Sequence, residues 1–315
     1  MKILIADDDA MSRRLLEKTL EREAYDVTAV GNGRLALQQL SLPDGPRLAL
    51  LDWMMPEMDG PGVCLGVRQQ HERPYIHIIL VTSKGSKQDI VEGLQAGADD
   101  YLTKPWDPAE LTARLRVGQR ILRLEDRLVE ARETMRFKAT HDPLTSLFNR
   151  GVIIDLLDRE LIRTRREKGC TVVIMGDLDY FKDVNDRYGH LVGDEVLREI
   201  ARRLLTSVRS YDFVGRYGGE EFLVVLNNCV SAQAVARAQE IRNAIANQPV
   251  LTERGPLPVT MSLGVLASRD WGLYLAEEIL GAVDLALYQA KADGRNCVKL
   301  AKPPALCDAP HELVR

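Results

Sequence analysis

The sequence has no apolar run near the roughly 20 residues that a bilayer-spanning helix needs. Its opening, MKILIADDDAMSRR, turns acidic within the first few residues, so it is not expected to act as a secretory signal. Basic blocks are missing too. Residues 1–118 carry 14 basic and 18 acidic side chains, and the whole chain has a net charge of −4, which argues against a duplex-binding surface. No C-x-x-C pair occurs. The five cysteines, Cys64, Cys170, Cys229, Cys297 and Cys307, are odd in number and scattered, which fits reduced thiols in a cytoplasmic protein rather than a disulfide framework. No internal repeat and no helix-turn-helix pattern is visible.

What is present suits a globular protein of more than one domain. The chain has 315 residues, 45% hydrophobic and 28% charged, too long for one ordinary core. Residues 1–118 alternate strand and helix signals. The short apolar runs KILIA, DVTAV, LALLD, HIILVTS and DYLTK are separated by segments with helical spacing. This rhythm predicts five βα units, an α/β doubly wound domain around a five-stranded parallel sheet.

Residues 107–138 form one helical pattern opened by Asp107-Pro108, with proline suited to a helix's first position. Val117, Ile121, Leu124, Leu128, Ala131 and Met135 step by four and three. They make a heptad seam about 30 Å long. The seam is expected to pair between molecules; the competing expectation is an amphipathic helix lying on its own domain. Residues 140–302 then read as an α+β domain. Helices are predicted at 149–168, about 193–208, 231–247 and 275–292. Strands are predicted at 171–179, 259–266 and 297–300, with two more joined at Gly218-Gly219 around a central antiparallel sheet. The tail, 303–315, is predicted to be flexible.

In a doubly wound sheet, ligands collect outside the carboxyl ends of the strands. The predicted strand ends carry Asp7, Asp8 and Asp9, then Asp52, then Thr82-Ser83, then Lys104-Pro105. Crowded carboxylates repel unless a cation neutralises them, so a hard ion such as Mg²⁺ fits, with Lys104 as a second positive charge. One acid at a loop start is an ordinary helix cap; this set at four strand ends is not.

The motifs ILIADDD, LLDWMMPEMDG, VTS and YLTKP resemble the receiver domain of bacterial response regulators, over about residues 1–118. The resemblance implies that Asp52 accepts a phosphoryl group from a sensor histidine kinase. It implies Mg²⁺ held by Asp7, Asp8, Asp52 and the Met54 carbonyl. Lys104 would pair with the phosphoryl oxygens, Thr82 would swing toward them, and Tyr101 would follow. The Lys104-Pro105 bond is a candidate cis peptide.

The second domain has its own acids. RYGGEEF places Glu220 and Glu221 beside a Gly-Gly hairpin turn, and glycine supplies the positive φ such turns need. The strand 171–179 ends in GDLDYFK. If the two strands are neighbours, Asp177 converges with Glu220, and Lys182 nearby completes a hard-metal and phosphate site. A Gly-Gly-Glu-Glu turn alone would be an ordinary solvated tip.

Together with HDPLTSLFNR, DLDYFKDVNDRYGHLVGDE, MSLGV and ALYQAKADGRN, this segment resembles the GGDEF-type diguanylate cyclase family, over about residues 140–300. Small departures are Ser146, where glycine is commoner, and Leu178, where isoleucine or valine is. The resemblance implies condensation of two GTP into cyclic di-GMP with release of two pyrophosphates, by two subunits facing each other in a homodimer. It implies Mg²⁺ or Mn²⁺ held by Asp177, Glu220 and the Leu178 carbonyl, with Glu221 as a base or second metal ligand. Backbone N–H groups of Tyr180 and Phe181, with Lys182, would cradle phosphates. Lys291 and Arg295, read as four apart on one helix face, would reach the same phosphates. Asn185 and Asp194 would read guanine, and Gly218-Gly219 would leave room for base and ribose.

The resemblance also implies that Arg209 and Asp212, an RxxD five residues before Gly218, form an inhibitory site for the product. A helix-end salt bridge is the plainer reading of that pair. Two other functions are weighed: a response regulator that senses GTP or cyclic di-GMP without turnover, and one that acts only by protein contact. Loss of a metal acid would favour the first and a damaged phosphate cradle the second; neither is seen. No DNA or membrane partner is expected.

Overall fold

The structure, a computed structural model, describes residues 1–70, 73–83, 87–271 and 275–302. The predicted tail lies outside the described residues. The chain divides between Glu133 and Thr134 into two compact units.

In the first unit the strands are β1 (Lys2–Ala6), β2 (Asp26–Val30), β3 (Leu48–Asp52), β4 (His77–Thr82) and β5 (Asp100–Thr103). Between them run α1 (Ala10–Arg22), α2 (Gly33–Leu40), α3 (Gly60–Arg68) and α4 (Lys87–Gln95). All pairs are parallel, in the order β2-β1-β3-β4-β5. β3 and β4 are buried along their whole length. That is why LALLD and HIILVT are continuous apolar runs without alternation: both faces of a parallel sheet are covered. Leu4, Leu51, Ile78 and Leu80 pack on one face, and Ile3, Ile5, Leu50 and Ile79 on the other.

α5 (Pro108–Thr140) is a single helix of 33 residues. Asp107 starts it, its carboxylate accepting from the N–H groups of Ala109 and Glu110. Two stripes run along α5. Leu111, Leu115, Gly118 and Leu122 are buried against the first unit. The seam residues Val117, Ile121, Leu124, Leu128, Ala131 and Met135 are exposed, Leu128 and Met135 to about 70% (69% and 71%). The residues that pack on the helix's own domain are therefore a different set from the seam.

The second unit is built on five strands, β6 (Val172–Leu178), β7 (Phe213–Gly218), β8 (Glu221–Leu226), β11 (Met261–Ala267) and β12 (Val298–Leu300), in the order β12-β11-β6-β8-β7. The pairing is antiparallel except at the edge, where β12 runs parallel to β11. α8 (His190–Ser207) and α9 (Ala234–Ala246) cover one face; α6 (Arg150–Glu167) and α11 (Ala276–Ala292) cover the other. Alternation along β6 serves both: Val172 and Ile174 face the first core, Val173 and Met175 the second. Four elements were not predicted: α7 (Phe181–Tyr188), the hairpin strands β9 (Val250–Thr252) and β10 (Gly255–Leu257), and α10 (Ser268–Trp271). No helix among the described residues is long and apolar enough to cross a membrane.

Ser146 has φ 58, in the left-handed region that favours glycine. It lies in the turn before α6, its N–H donating to the Asp142 carbonyl at 2.9 Å. A side chain in that conformation costs about 1 kcal/mol. Ser146→Gly is therefore expected to stabilise the protein by roughly 0.5 kcal/mol, net of glycine's larger unfolded-state entropy. A denaturant titration reads this directly; a lowered midpoint would contradict it.

Candidate functional site

At the rim of the parallel sheet, Asp7, Asp8 and Asp52 each offer a carboxylate oxygen, all within 4.8 Å of one another. Among the described residues this is the only set of three potential ligands drawn so close. Lys104, from the far end of β5, places Nζ 2.8 Å from both Asp7 Oδ2 and Asp52 Oδ2. Asp9 does something else: it caps α1 by accepting from the N–H groups of Met11 and Ser12. Thr82 ends β4 and is buried, Tyr101 is half-buried in β5 under the Arg114 guanidinium, and Met54 is exposed in the loop after Asp52. The Lys104-Pro105 bond is cis.

Burial raises the Asp52 carboxyl above its ordinary value, and its bond from Lys104 only partly offsets this. The folded chain thus holds that proton more tightly than the unfolded one. The resulting stability is fully present below the ordinary carboxylate range and is lost as pH rises through the raised folded value. Asp52→Asn stays neutral. In metal-free protein it is expected to gain stability over the parent as pH climbs from about 4 toward 7, and to show no gain near pH 3. Parallel unfolding curves for the two proteins across that range would refute the sign.

The second site lies where β6 ends and β8 begins. Their antiparallel register sets Asp177 directly opposite Glu221, so both side chains share one face. Glu220 precedes Glu221 in the turn, its carbonyl accepting from Leu178 N–H at 3.4 Å. The turn itself differs from the predicted Gly218-Gly219 pair. Gly218 closes β7 opposite Glu221, so the two turn residues are Gly219 and Glu220. Only Gly219 has a positive φ, 47°. A bulge between Arg216 and Gly218 shifts the register and produces this offset. A Cβ on Gly219 would meet nothing within 4 Å, and one on Gly218 only Glu221 Oε2 at 3.8 Å, so the space over the turn is open.

Burial, then the charges of Glu220 and Asp179, keep the Asp177 carboxyl above its ordinary range, despite Lys291 Nζ 2.7 Å from Asp177 Oδ2. Glu221 is raised as well, first by burial and then by Asp177. One lysine does not neutralise three acids, and such a set favours a further cation.

Beside these acids begins α7. Its first residues follow Tyr180, which has φ 56, and no side chain caps the helix, leaving its leading N–H groups without a side-chain acceptor. Phe181 is buried against the core and Lys182 is exposed on the first turn. Asn185, further along α7, lies against α8 at Gly193: a Cβ there would come within 2.0 Å of Asn185 Oδ1. The glycine lets the two helices meet, and Asp194 directly follows it on α8.

Two placements differ from the sequence reading. Arg295 is not on the helix that carries Lys291. α11 stops at Ala292, Gly294 has φ 104 and Arg295 φ 64, so the chain turns sharply before Arg295. Its side chain instead covers the Tyr180 ring. Arg209 and Asp212 do not form a salt bridge with each other. The Asp212 carboxylate accepts from the backbone N–H groups of Arg209 and Asn227, both at 2.9 Å, and shapes the turn before β7. Arg209 is exposed and bonded to the Tyr211 hydroxyl at 2.7 Å. The pair sits at the opposite end of β7 from Gly218, about 20 Å from the acids by strand length.

Two further residues position the site without having been singled out. Asp179 is buried and accepts from Thr260 Oγ1 at 2.7 Å, Ser262 Oγ at 2.6 Å and Asn296 N–H at 3.0 Å, pinning the end of β6. Arg216 donates from Nε to the Gly219 carbonyl at 2.8 Å and pairs with Asp142 at 3.1 Å. It thereby braces the acidic turn against the HDPLT turn. Both residues lie inside the quoted motifs, so the motif was visible and the bonding was not.

The family "Diguanylate cyclase, GGDEF domain" matches residues 139–297, and "Response regulator receiver domain" matches 3–116. Response regulator PleD of Caulobacter vibrioides is 34% identical over 253 residues, 80% of this chain and 56% of that one. Diguanylate cyclase A of Treponema denticola is 39% identical over 166 residues, 52% of this chain and 44% of that one. The chain thus spans about half the length of these curated relatives. The coiled coil and GGDEF domain of DgcB from Caulobacter crescentus, solved in complex with c-di-GMP, matches with TM-score 0.53 at 29% identity. That match covers 61% of this chain and 99% of that one. The diguanylate cyclase SiaD of Pseudomonas aeruginosa, solved with its activator SiaC, matches with TM-score 0.50 at 34% identity, over 61% and 75%. With the family match covering Asp177, the acidic turn and the α7 N-terminus alike, this chain belongs to the GGDEF family, its GGDEF domain preceded by a response-regulator receiver domain.

Proposed function

We propose that the protein is a phosphorylation-controlled diguanylate cyclase, condensing two GTP into cyclic di-GMP and two pyrophosphates. The observation that carries this is Asp177 set opposite Glu221, with Glu220 in the turn and the uncapped N-terminus of α7 alongside. This places acids for a metal next to N–H groups for a triphosphate.

Asp177, Glu220 and the Leu178 carbonyl would hold Mg²⁺ or Mn²⁺; the raised Asp177 carboxyl fits a site that needs a cation. A divalent ion there supplies charge against the α-phosphate and lowers the pKa of the attacking hydroxyl. The N–H groups at Tyr180 and Phe181, with Lys182, Lys291 and Arg295, bind and orient the triphosphate. Asn185 and Asp194 select guanine, because a carboxylate accepts from both N1–H and the exocyclic amine. Each 3′-oxygen bonds to the other nucleotide's α-phosphorus as pyrophosphate leaves. The hydroxyl proton passes to Glu221 or solvent. Two such transfers close the ring, and each needs two subunits face to face.

In the receiver, Asp52 is the phosphoacceptor for a histidine kinase, with Asp7, Asp8 and the Met54 carbonyl sharing Mg²⁺. Lys104, Thr82 and Tyr101 read the phosphoryl group. The exposed seam on α5 supplies the homodimer contact. The test is to incubate the protein with GTP and Mg²⁺, with and without an acyl-phosphate donor, and identify products by mass. Absence of cyclic di-GMP in both would overturn the reading.

Arg209 and Asp212 form the inhibitory product site. Arg209 is exposed and, among the described residues, its guanidinium engages only the neighbouring Tyr211 side chain, so it can turn to fork onto a guanine edge or a phosphate. Parent protein is expected to slow as micromolar cyclic di-GMP is added, and Arg209→Ala to keep its rate. A parent progress curve indifferent to added product would reduce Arg209 to a surface residue.

A further inference from the structure

Tyr180 is an unusual choice for its place. It is the residue between β6 and α7, in left-handed backbone with φ 56, and its side chain is 60% exposed. A ring placed so adds little to the core. It is covered from outside by Arg295, whose guanidinium carbon stands 4.5 Å from the ring centroid. Arg295 Nη1 also reaches the Tyr180 hydroxyl at 3.3 Å.

Arg295 is held from its own side. Its backbone is left-handed too, and its N–H donates to the Ala290 carbonyl at 3.1 Å, closing the end of α11. The next residue, Asn296, donates its N–H to Asp179 Oδ2 at 3.0 Å, and Asp179 directly precedes Tyr180. Two segments more than a hundred residues apart are thus joined once through the Asp179 carboxylate and once through the stacked side chains.

We infer that the Tyr180 side chain is a positioning residue that holds the Arg295 guanidinium beside the N-terminus of α7, oriented for the phosphates of a nucleoside triphosphate. This rests on the cyclase reading above. The chemistry favours it. Stacking uses the face of the guanidinium and leaves most of its edge N–H donors free for a phosphate. An unstacked arginine on a loop would have to lose several rotamers on binding. The ring orders it beforehand, so less is lost when the nucleotide arrives.

The experiment is calorimetric titration of the full chain with a GTP analogue bridged by methylene between the α- and β-phosphorus, in Mg²⁺. Parent, Tyr180→Phe, Tyr180→Ala, Arg295→Ala and the double alanine variant are compared. Tyr180→Ala is expected to weaken binding about two- to five-fold, the size of an exposed cation–ring contact. Tyr180→Phe keeps the ring and should recover most of the affinity. The double variant should bind no more weakly than Arg295→Ala alone, because the ring acts only through that arginine. Additive losses in the double variant, or a Tyr180→Phe as weak as Tyr180→Ala, overturn the positioning role while leaving the cyclase reading standing. A parent protein that does not bind the analogue overturns both.

Discussion

Glu220→Gln is expected to lower GTP turnover by about two to three orders of magnitude, the cost of removing one preorganised charge from a phosphoryl-transfer site. The substitution keeps size and hydrogen-bonding shape and deletes only the charge. Glu220 lies in the two-residue turn after Gly218, half-buried, and its backbone carbonyl rather than its carboxylate meets Leu178. The fold should therefore survive, and thermal unfolding of the metal-free variant should match the parent. The charge matters because Asp177 is buried, and its carboxyl already stands above its ordinary range with Lys291 engaged. Without Glu220 a divalent ion would have one side-chain carboxylate fewer in its grip. Turnover close to the parent's at saturating Mg²⁺ would remove Glu220 from the metal site.

The second large effect concerns Asp52. An acyl-phosphate donor is expected to raise the cyclase rate of the parent several-fold and to leave Asp52→Asn unchanged. Lys104 lies 2.8 Å from Asp52 as it does from Asp7, and a phosphoryl group on Asp52 would compete for that lysine. In the proposed mechanism one product molecule needs two GTP-loaded subunits. In dilute, unphosphorylated protein the rate should accordingly rise more steeply than linearly with concentration, and phosphorylation should flatten that dependence. The exposed α5 stripe from Val117 to Met135 is the proposed surface for this pairing, since Leu111, Leu115 and Leu122 are already spent on the first unit's core. A donor response retained by Asp52→Asn would sink the coupling scheme, and the cyclase assignment would be unaffected.

Short-range signals were legible in the sequence. KILIADDD announces a buried strand that ends in acids because a parallel strand covered on both faces must be apolar to its last residue, and the loop beyond it is free to be charged. The buried strands β1, β3 and β4, and the acids that end β1 and β3, follow from that contrast. GDLDYFK and RYGGEEF could be read as strand ends for the same reason. Their juxtaposition could be stated only as a condition, that the two strands be neighbours. Pairing decided it: β6 lies beside β8, and the register puts Asp177 opposite Glu221. The pairing of β7 with β8 moved the turn to Gly219-Glu220, because a bulge near Tyr217 adds a residue that no local pattern reveals. Helical spacing linked Lys291 to Arg295, yet the helix ends at Ala292, where left-handed backbone takes over. Arg216, Asp179 and Tyr180 were in plain sight within their motifs. What each holds comes from segments some 70 to 120 residues away in the chain. Residue type and spacing carry what a segment does by itself, whereas the partner of a buried polar group is chosen by tertiary contacts that the local sequence does not encode.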